Sequence, residues 1–97
     1  MTITAMLDLR LKAESLEASY RLLHEILVET RAFAGCEGVE VSIDTDDPTH
    51  VLLVERWESM EADAAYRRWR AGAGASALRT ILAAPPGRSH WAAAPEI

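Results

Sequence analysis

One cysteine, Cys36, is all the chain has, so no internal disulfide can form, and a reducing compartment is the simplest reading. No segment approaches the ~20 apolar residues that a membrane-spanning helix needs. The first ten residues, MTITAMLDLR, reach Asp8 too early for a signal peptide. Lysine is nearly missing: Lys12 stands alone, and arginine supplies the other basic side chains. Acidic residues outnumber basic ones, 15 to 10, for a net charge of −5. Binding to nucleic-acid phosphates needs clustered positive charge, so this balance argues against that partner. No Ser-His-Asp order, phosphate loop or zinc spacing is present. These absences point to a cytoplasmic protein with neither a membrane nor a nucleic-acid partner.

The composition, 49% hydrophobic and 26% charged, is that of a globular protein. The 97 residues suit a single domain, 1–97. A chain of this length buries only part of its unfolded surface, so oligomerisation is a natural supplement.

Residues 2–11 alternate, with Ile3, Ala5, Leu7, Leu9 and Leu11 on one face, which predicts a strand. Over residues 14–33 the period changes. Leu16, Tyr20, Leu23 and Leu27 are spaced at four, three and four, and Leu22, Ile26 and Phe33 widen the stripe into an amphipathic helix. Ser15 is placed to cap its start and Gly35 to stop it. Residues 36–44 alternate again, and Gly38 marks a possible bulge. Asp46, Asp47 and Pro48 are turn formers, so the apolar run from His50 to Trp57 reads as the second arm of a hairpin.

A second helix is predicted from Ser59, a good N-cap, to Gly72. Glu61 and Asp63 lie in its first turn and Arg67, Arg68 and Arg70 in its last, complementing the helix dipole. Ala62, Ala65, Tyr66 and Trp69 share its inward face. A short helical piece, residues 76–82, and a last strand in RSHWAAAP complete the chain, with Pro95 limiting that strand. The order is β-α-β-β-α-β, an α+β, ferredoxin-like arrangement. Right-handed crossovers put both helices on one face of a four-stranded antiparallel sheet. The third strand is apolar on both sides, Leu52 and Val54 against Val51 and Leu53, so a second copy of the sheet is the economical cover for the other face.

Residues 31–62, RAFAGCEGVEVSIDTDDPTHVLLVERWESMEA, resemble the antibiotic biosynthesis monooxygenase family. The features are an aromatic-x-Gly-Cys-x-Gly at 33–38, an alternating strand, a D-P turn, and an apolar strand ending E-R-W-E-S before an acidic, Ala-rich helix start. The resemblance implies a dimeric α/β-barrel, a homodimer joined through the sheet faces, with a small pocket between helices and sheet in each subunit. It also implies oxidation of a small aromatic or polyketide-like phenol or hydroquinone by O2 with no cofactor, whether metal, flavin or haem. Such chemistry requires a base to deprotonate the substrate, donors to stabilise the anion, and a water-poor cavity. The alternative is a non-catalytic dimer that binds a small ligand on the same scaffold.

Three side chains are candidates for the chemistry: Trp57, Tyr66 and His90. The Trp57 indole N–H could donate to a substrate oxygen while its ring covers apolar surface, or the residue could simply fill the core. Tyr66 stands where many family members carry His; it can donate, but with a reference pKa near ~10 it is a poor base. His90 is the best candidate base, its face undetermined by the weak pattern around it. Trp69, Leu23, Leu27 and Glu55 are candidate substrate contacts. Glu55 could serve as the base, or pair with an arginine across the dimer. His24 is expected on the solvated surface and His50 exposed beside the turn, where Asp46, Asp47 and His50 fit no defined metal site. Cys36 reads as a small buried hydrophobe. The haem-degrading branch carries an Asn in its first strand and a His about ten residues beyond the aromatic of the second helix. Here the first strand has no Asn and Ser76 holds the latter place, so haem degradation is disfavoured.

Overall fold

The computed structural model describes residues 1–97. Its elements run β1 (Ile3–Arg10), α1 (Leu16–Ala32), β2 (Cys36–Asp44), β3 (Asp47–Trp57), α2 (Met60–Arg70), a 3-10 turn η1 (Leu78–Ile81) and β4 (Gly87–Ala92). The four strands form one antiparallel sheet in the order β2-β3-β1-β4. The ferredoxin-like order expected from the periodicities is therefore the order observed. The alternation on β1 decides which side is covered: Ile3, Ala5, Leu7 and Leu9 are buried, whereas Asp8 and Arg10 are exposed. Against that covered face lie Leu23 and Leu27 of α1 and Tyr66 of α2. The molecule is only 20 Å across its thinnest dimension, one helix layer on one sheet. No helix is long and apolar enough to cross a membrane.

Local chemistry explains the boundaries. Ser59 Oγ accepts the Ala62 N–H at 3.1 Å, so α2 starts where expected. Gly35 adopts φ +90°, and a Cβ there would stand 2.5 Å from the Ala62 Cβ; both facts require glycine. The β2 register shifts between Cys36 and Gly38, the bulge that Gly38 suggested. Three expectations are corrected. Ser15 takes a left-handed conformation, φ 56°, and its side chain caps nothing; its backbone carbonyl accepts from Ser19 instead. The hairpin turn is Thr45–Asp46, ahead of Pro48, because Asp44 Oδ1 accepts the Asp46 N–H at 2.9 Å and closes the chain early. The piece predicted over residues 76–82 is helical only from Leu78 to Ile81.

The open face of the sheet carries Met6, Leu52 and Val54, all half-buried, and Trp91, which is 57% exposed. His50 also lies on this face. It is half-buried rather than exposed, because its ring is held between two carboxylates: Nδ1 is 2.8 Å from Asp44 and Nε2 is 3.0 Å from Asp8. Those hydrogen bonds, Asp44 first, raise the His50 pKa above its ordinary value of 6.5. The Asp46 N–H and then His50 lower that of Asp44 below 3.8.

Each shifted group links proton binding to folding stability. A raised histidine contributes stability fully below about pH 6.5 and loses it as pH rises through its folded value. A depressed aspartate contributes above about pH 3.8 and loses it as pH falls through its folded value. The cluster is therefore complete between these limits. The stability advantage of the wild type over His50→Gln, followed by thermal melts, should be largest there and shrink on alkaline titration. The NMR titration of the His50 ring should move to lower pH in Asp44→Asn. An unmoved titration would mean that the pairing is absent in solution.

Candidate functional site

The covered face of the sheet holds a row of residues fixed by strand register. Val39 of β2 stands opposite Glu55 of β3, Glu55 opposite Ala5 of β1, and Ala5 opposite His90 of β4. Glu55 therefore faces the helices in the interior of the sheet and is 1% exposed. A carboxylate so deep must be paired and hydrogen-bonded. Trp57, two residues on and on the same face, donates its indole N–H to Glu55 Oε1 at 3.1 Å. Arg67 of α2 donates from Nη2 to the same oxygen at 2.5 Å. This corrects the expectation of a Glu55–Arg pair across a dimer: its arginine is Arg67 of its own chain, and Arg56 pairs with Glu40 on the open face.

Arg67 is itself held from behind. Asp63, one helical turn earlier and 3% exposed, accepts from Arg67 Nε and Nη2 through Oδ1 at 3.2 and 2.9 Å. The other Asp63 oxygen meets His90 Nε2 at 2.9 Å. The result is a continuous polar chain, His90–Asp63–Arg67–Glu55–Trp57, running from the sheet edge into the core.

A second network fixes Tyr66. Thr30 Oγ1 donates to the Ile26 carbonyl at 3.2 Å, so the Tyr66 hydroxyl donates to Thr30 at 2.6 Å and accepts from Arg70 Nε at 2.7 Å. The Tyr66 ring stacks within an aromatic cluster, 4.9 Å from Trp57 and 5.3 Å from Phe33. Trp69 joins at 5.4 Å from Phe33 and is lidded by Gly74, where a Cβ would come within 2.1 Å of the indole. Cys36 packs half-buried beside this cluster, and burial pushes its thiol pKa up.

Between α1, the sheet, α2 and η1 lies a cavity of about 630 Å³, within the size range of small-molecule sites. Of the candidate residues, Glu55, Tyr66, Leu23 and Leu27 line it. Trp57, Trp69 and His90 do not. Trp57 is fully buried behind Glu55, Trp69 lies behind Tyr66, and His90 is bound to Asp63 at the sheet edge. Arg67, Arg70, Arg79 and Arg88 line the cavity and were not anticipated. For Arg67 the local signal was its spacing of four from Asp63.

Glu55 carries the most chemical potential on this wall. Both of its hydrogen bonds fall on Oε1. Oε2 makes none, yet no enclosed side-chain oxygen or nitrogen lacks a partner, so Oε2 opens on the cavity that Glu55 lines. Arg67 likewise leaves Nη1 unpartnered within the chain, and its side chain also lines the cavity. No cluster of three or more His, Cys, Asp or Glu side chains is arranged to hold a metal ion.

The fold has close parallels among solved structures. A protein from Deinococcus radiodurans, described as a candidate antibiotic biosynthesis monooxygenase, superposes with a TM-score of 0.78 at 26% identity, over 97% of this chain and 93% of that one. A conserved Methanosarcina mazei protein matches with a TM-score of 0.79 at 16% identity, over 94% and 91% of the two chains. A Nitrosomonas europaea protein, also described as a candidate antibiotic biosynthesis monooxygenase, matches at 0.76 and 18% identity, over 96% and 98%. None of the curated proteins matches significantly. Residues 2–80 match the sequence profile of the antibiotic biosynthesis monooxygenases, and the chain belongs to that family.

Proposed function

We propose that this protein is a cofactor-independent monooxygenase that oxidises a small aromatic phenol, of the naphthol or anthrone type, to a quinone. The observation that carries the reading is the free Oε2 of a buried, oriented carboxylate on the wall of a cavity whose apolar part is formed by Leu23, Leu27, Leu53 and Tyr66. Glu55 Oε2 removes the phenolic proton, and Arg67 Nη1 donates to the phenolate oxygen. The phenolate gives one electron to O2, and the resulting radical pair joins carbon to oxygen as a peroxide. Loss of the hydrogen on that carbon and cleavage of the O–O bond leave the quinone and one water. For 1-naphthol the balance is naphthol plus O2 to naphthoquinone plus H2O. Trp57, Asp63 and His90 act through Glu55 and Arg67 as positioning residues, and Tyr66, Leu23 and Leu27 supply the wall.

The open sheet face fits this reading as the interface of a homodimer, since Met6, Leu52, Val54 and Trp91 lie together on it. The non-catalytic alternative is favoured by two features: no histidine lines the cavity, and the Tyr66 proton is directed at Thr30. Oxygen-electrode measurements with metal-stripped protein and a naphthol and anthrone panel separate the two. Uptake above buffer, with one water formed per quinone, is expected. Binding without any uptake across the panel would leave only the ligand-binding role.

A further inference from the structure

The charge on the cavity wall does not match the charge of the protein. The chain is acidic, at −5, yet the wall carries four arginines, Arg67, Arg70, Arg79 and Arg88, and a single carboxylate, Glu55. Two of the four are neutralised inside the chain. Arg67 is paired with Glu55 and Asp63, and Arg70 with Glu29 at 3.1 Å. Arg79 on η1 and Arg88 at the start of β4 are different. Both are exposed, and neither side chain makes a hydrogen bond or salt bridge in the chain. Arg21 and Arg68 are also exposed and unpaired, but they lie away from the cavity. Arg88 stands opposite Leu7 in the β1–β4 register, on the covered face, so its side chain emerges on the same side as the cavity.

The cavity is thus polar at two places of opposite character. Inside, the Glu55 carboxylate accepts a proton. At the exposed rim, two free guanidiniums present planar donor forks that match a carboxylate. We propose that the ligand is an aromatic hydroxy acid. Its hydroxyl sits at Glu55, its rings lie against Leu23, Leu27 and Tyr66, and its carboxylate is held at the mouth by Arg79 and Arg88. This inference rests on the reading of the cavity as the substrate site and adds the substrate's charge. It also gives the two arginines a role as specificity determinants rather than catalytic residues, since they meet the substrate far from the reacting hydroxyl.

The test is a pair of probes differing by one group, 2-naphthol and 6-hydroxy-2-naphthoate, titrated by calorimetry into the intact protein. At low salt the acid should bind about tenfold or more tightly, as a charge-assisted pair requires. Raising the ionic strength should shrink the advantage, because the arginines are exposed. In the Arg79→Gln/Arg88→Gln variant the advantage should vanish while 2-naphthol binds as before; neither side chain holds the fold, and circular dichroism checks this. Equal binding of the two probes, an advantage that survives in the variant, or no binding of either probe overturns the proposal. Oxygen uptake on the same samples separates it from the proposed activity. Preferential binding of the acid without uptake keeps the anion site and removes the monooxygenase; uptake with no preference for the acid does the reverse.

Discussion

Glu55→Gln should lower turnover by about 10²–10⁴-fold, the usual contribution of a positioned base. The amide oxygen is nearly isosteric with the carboxylate oxygen and can still accept from Trp57 and Arg67, so the cavity keeps its shape. What is lost is a site that accepts a proton from the substrate. Ligand affinity measured by calorimetry should therefore change little while kcat falls. Glu55→Ala goes further. It removes one partner of a buried ion pair, side chains 2% and 18% exposed, and should destabilise the protein by about 3–5 kcal/mol. The Asp63 carboxylate that remains beside Arg67 moves the expectation toward the lower end. Denaturant unfolding and oxygen uptake together separate the two effects. If Glu55→Gln turned over as fast as the wild type, the base would have to lie elsewhere.

The positioning chain behind Glu55 explains why only some of the site is legible before the fold is known. Strand alternation puts Glu55 and Trp57 on one face, and helical periodicity puts Tyr66 inward and Leu23 and Leu27 against the sheet. Those residues line the site or back it because local period and burial coincide there. Asp63 and Arg67 look like dipole-complementing surface charges on their own helix. Asp63 becomes buried and Arg67 half-buried only because α2 crosses the sheet above Glu55, a matter of tertiary geometry. His90 has no readable face in its own strand, every residue of which is exposed; its orientation comes from the Ala5–His90 pairing with β1. His50 is a similar case, since its partner Asp8 is 42 residues away and reaches it through the β1–β3 register. The arginines at the cavity mouth belong to a 3-10 turn and an edge strand with little periodicity, so nothing local marks them.

Trp57 is where the packing and polar roles can be taken apart. It is the largest of the fully buried side chains, and its ring contacts Tyr66 and Phe33 while its N–H reaches Glu55. Trp57→Ala removes both, and should cost about 3–5 kcal/mol of unfolding free energy. Against the ~5–15 kcal/mol that a domain commands, this leaves a protein near the edge of stability. Trp57→Phe keeps an aromatic ring in the cluster and deletes the donor. A hydrogen bond to a charged group is worth about 1.5–3 kcal/mol, so this variant should stay folded with a smaller loss. Its turnover should still fall, because Glu55 Oε1 is then held by Arg67 alone and the carboxylate is freer to rotate Oε2 away from the cavity. Urea unfolding and oxygen uptake on both variants provide the check. Were Trp57→Phe to match the wild type in both, the indole would act as bulk only, and the orientation of Glu55 would rest on Arg67 and Asp63.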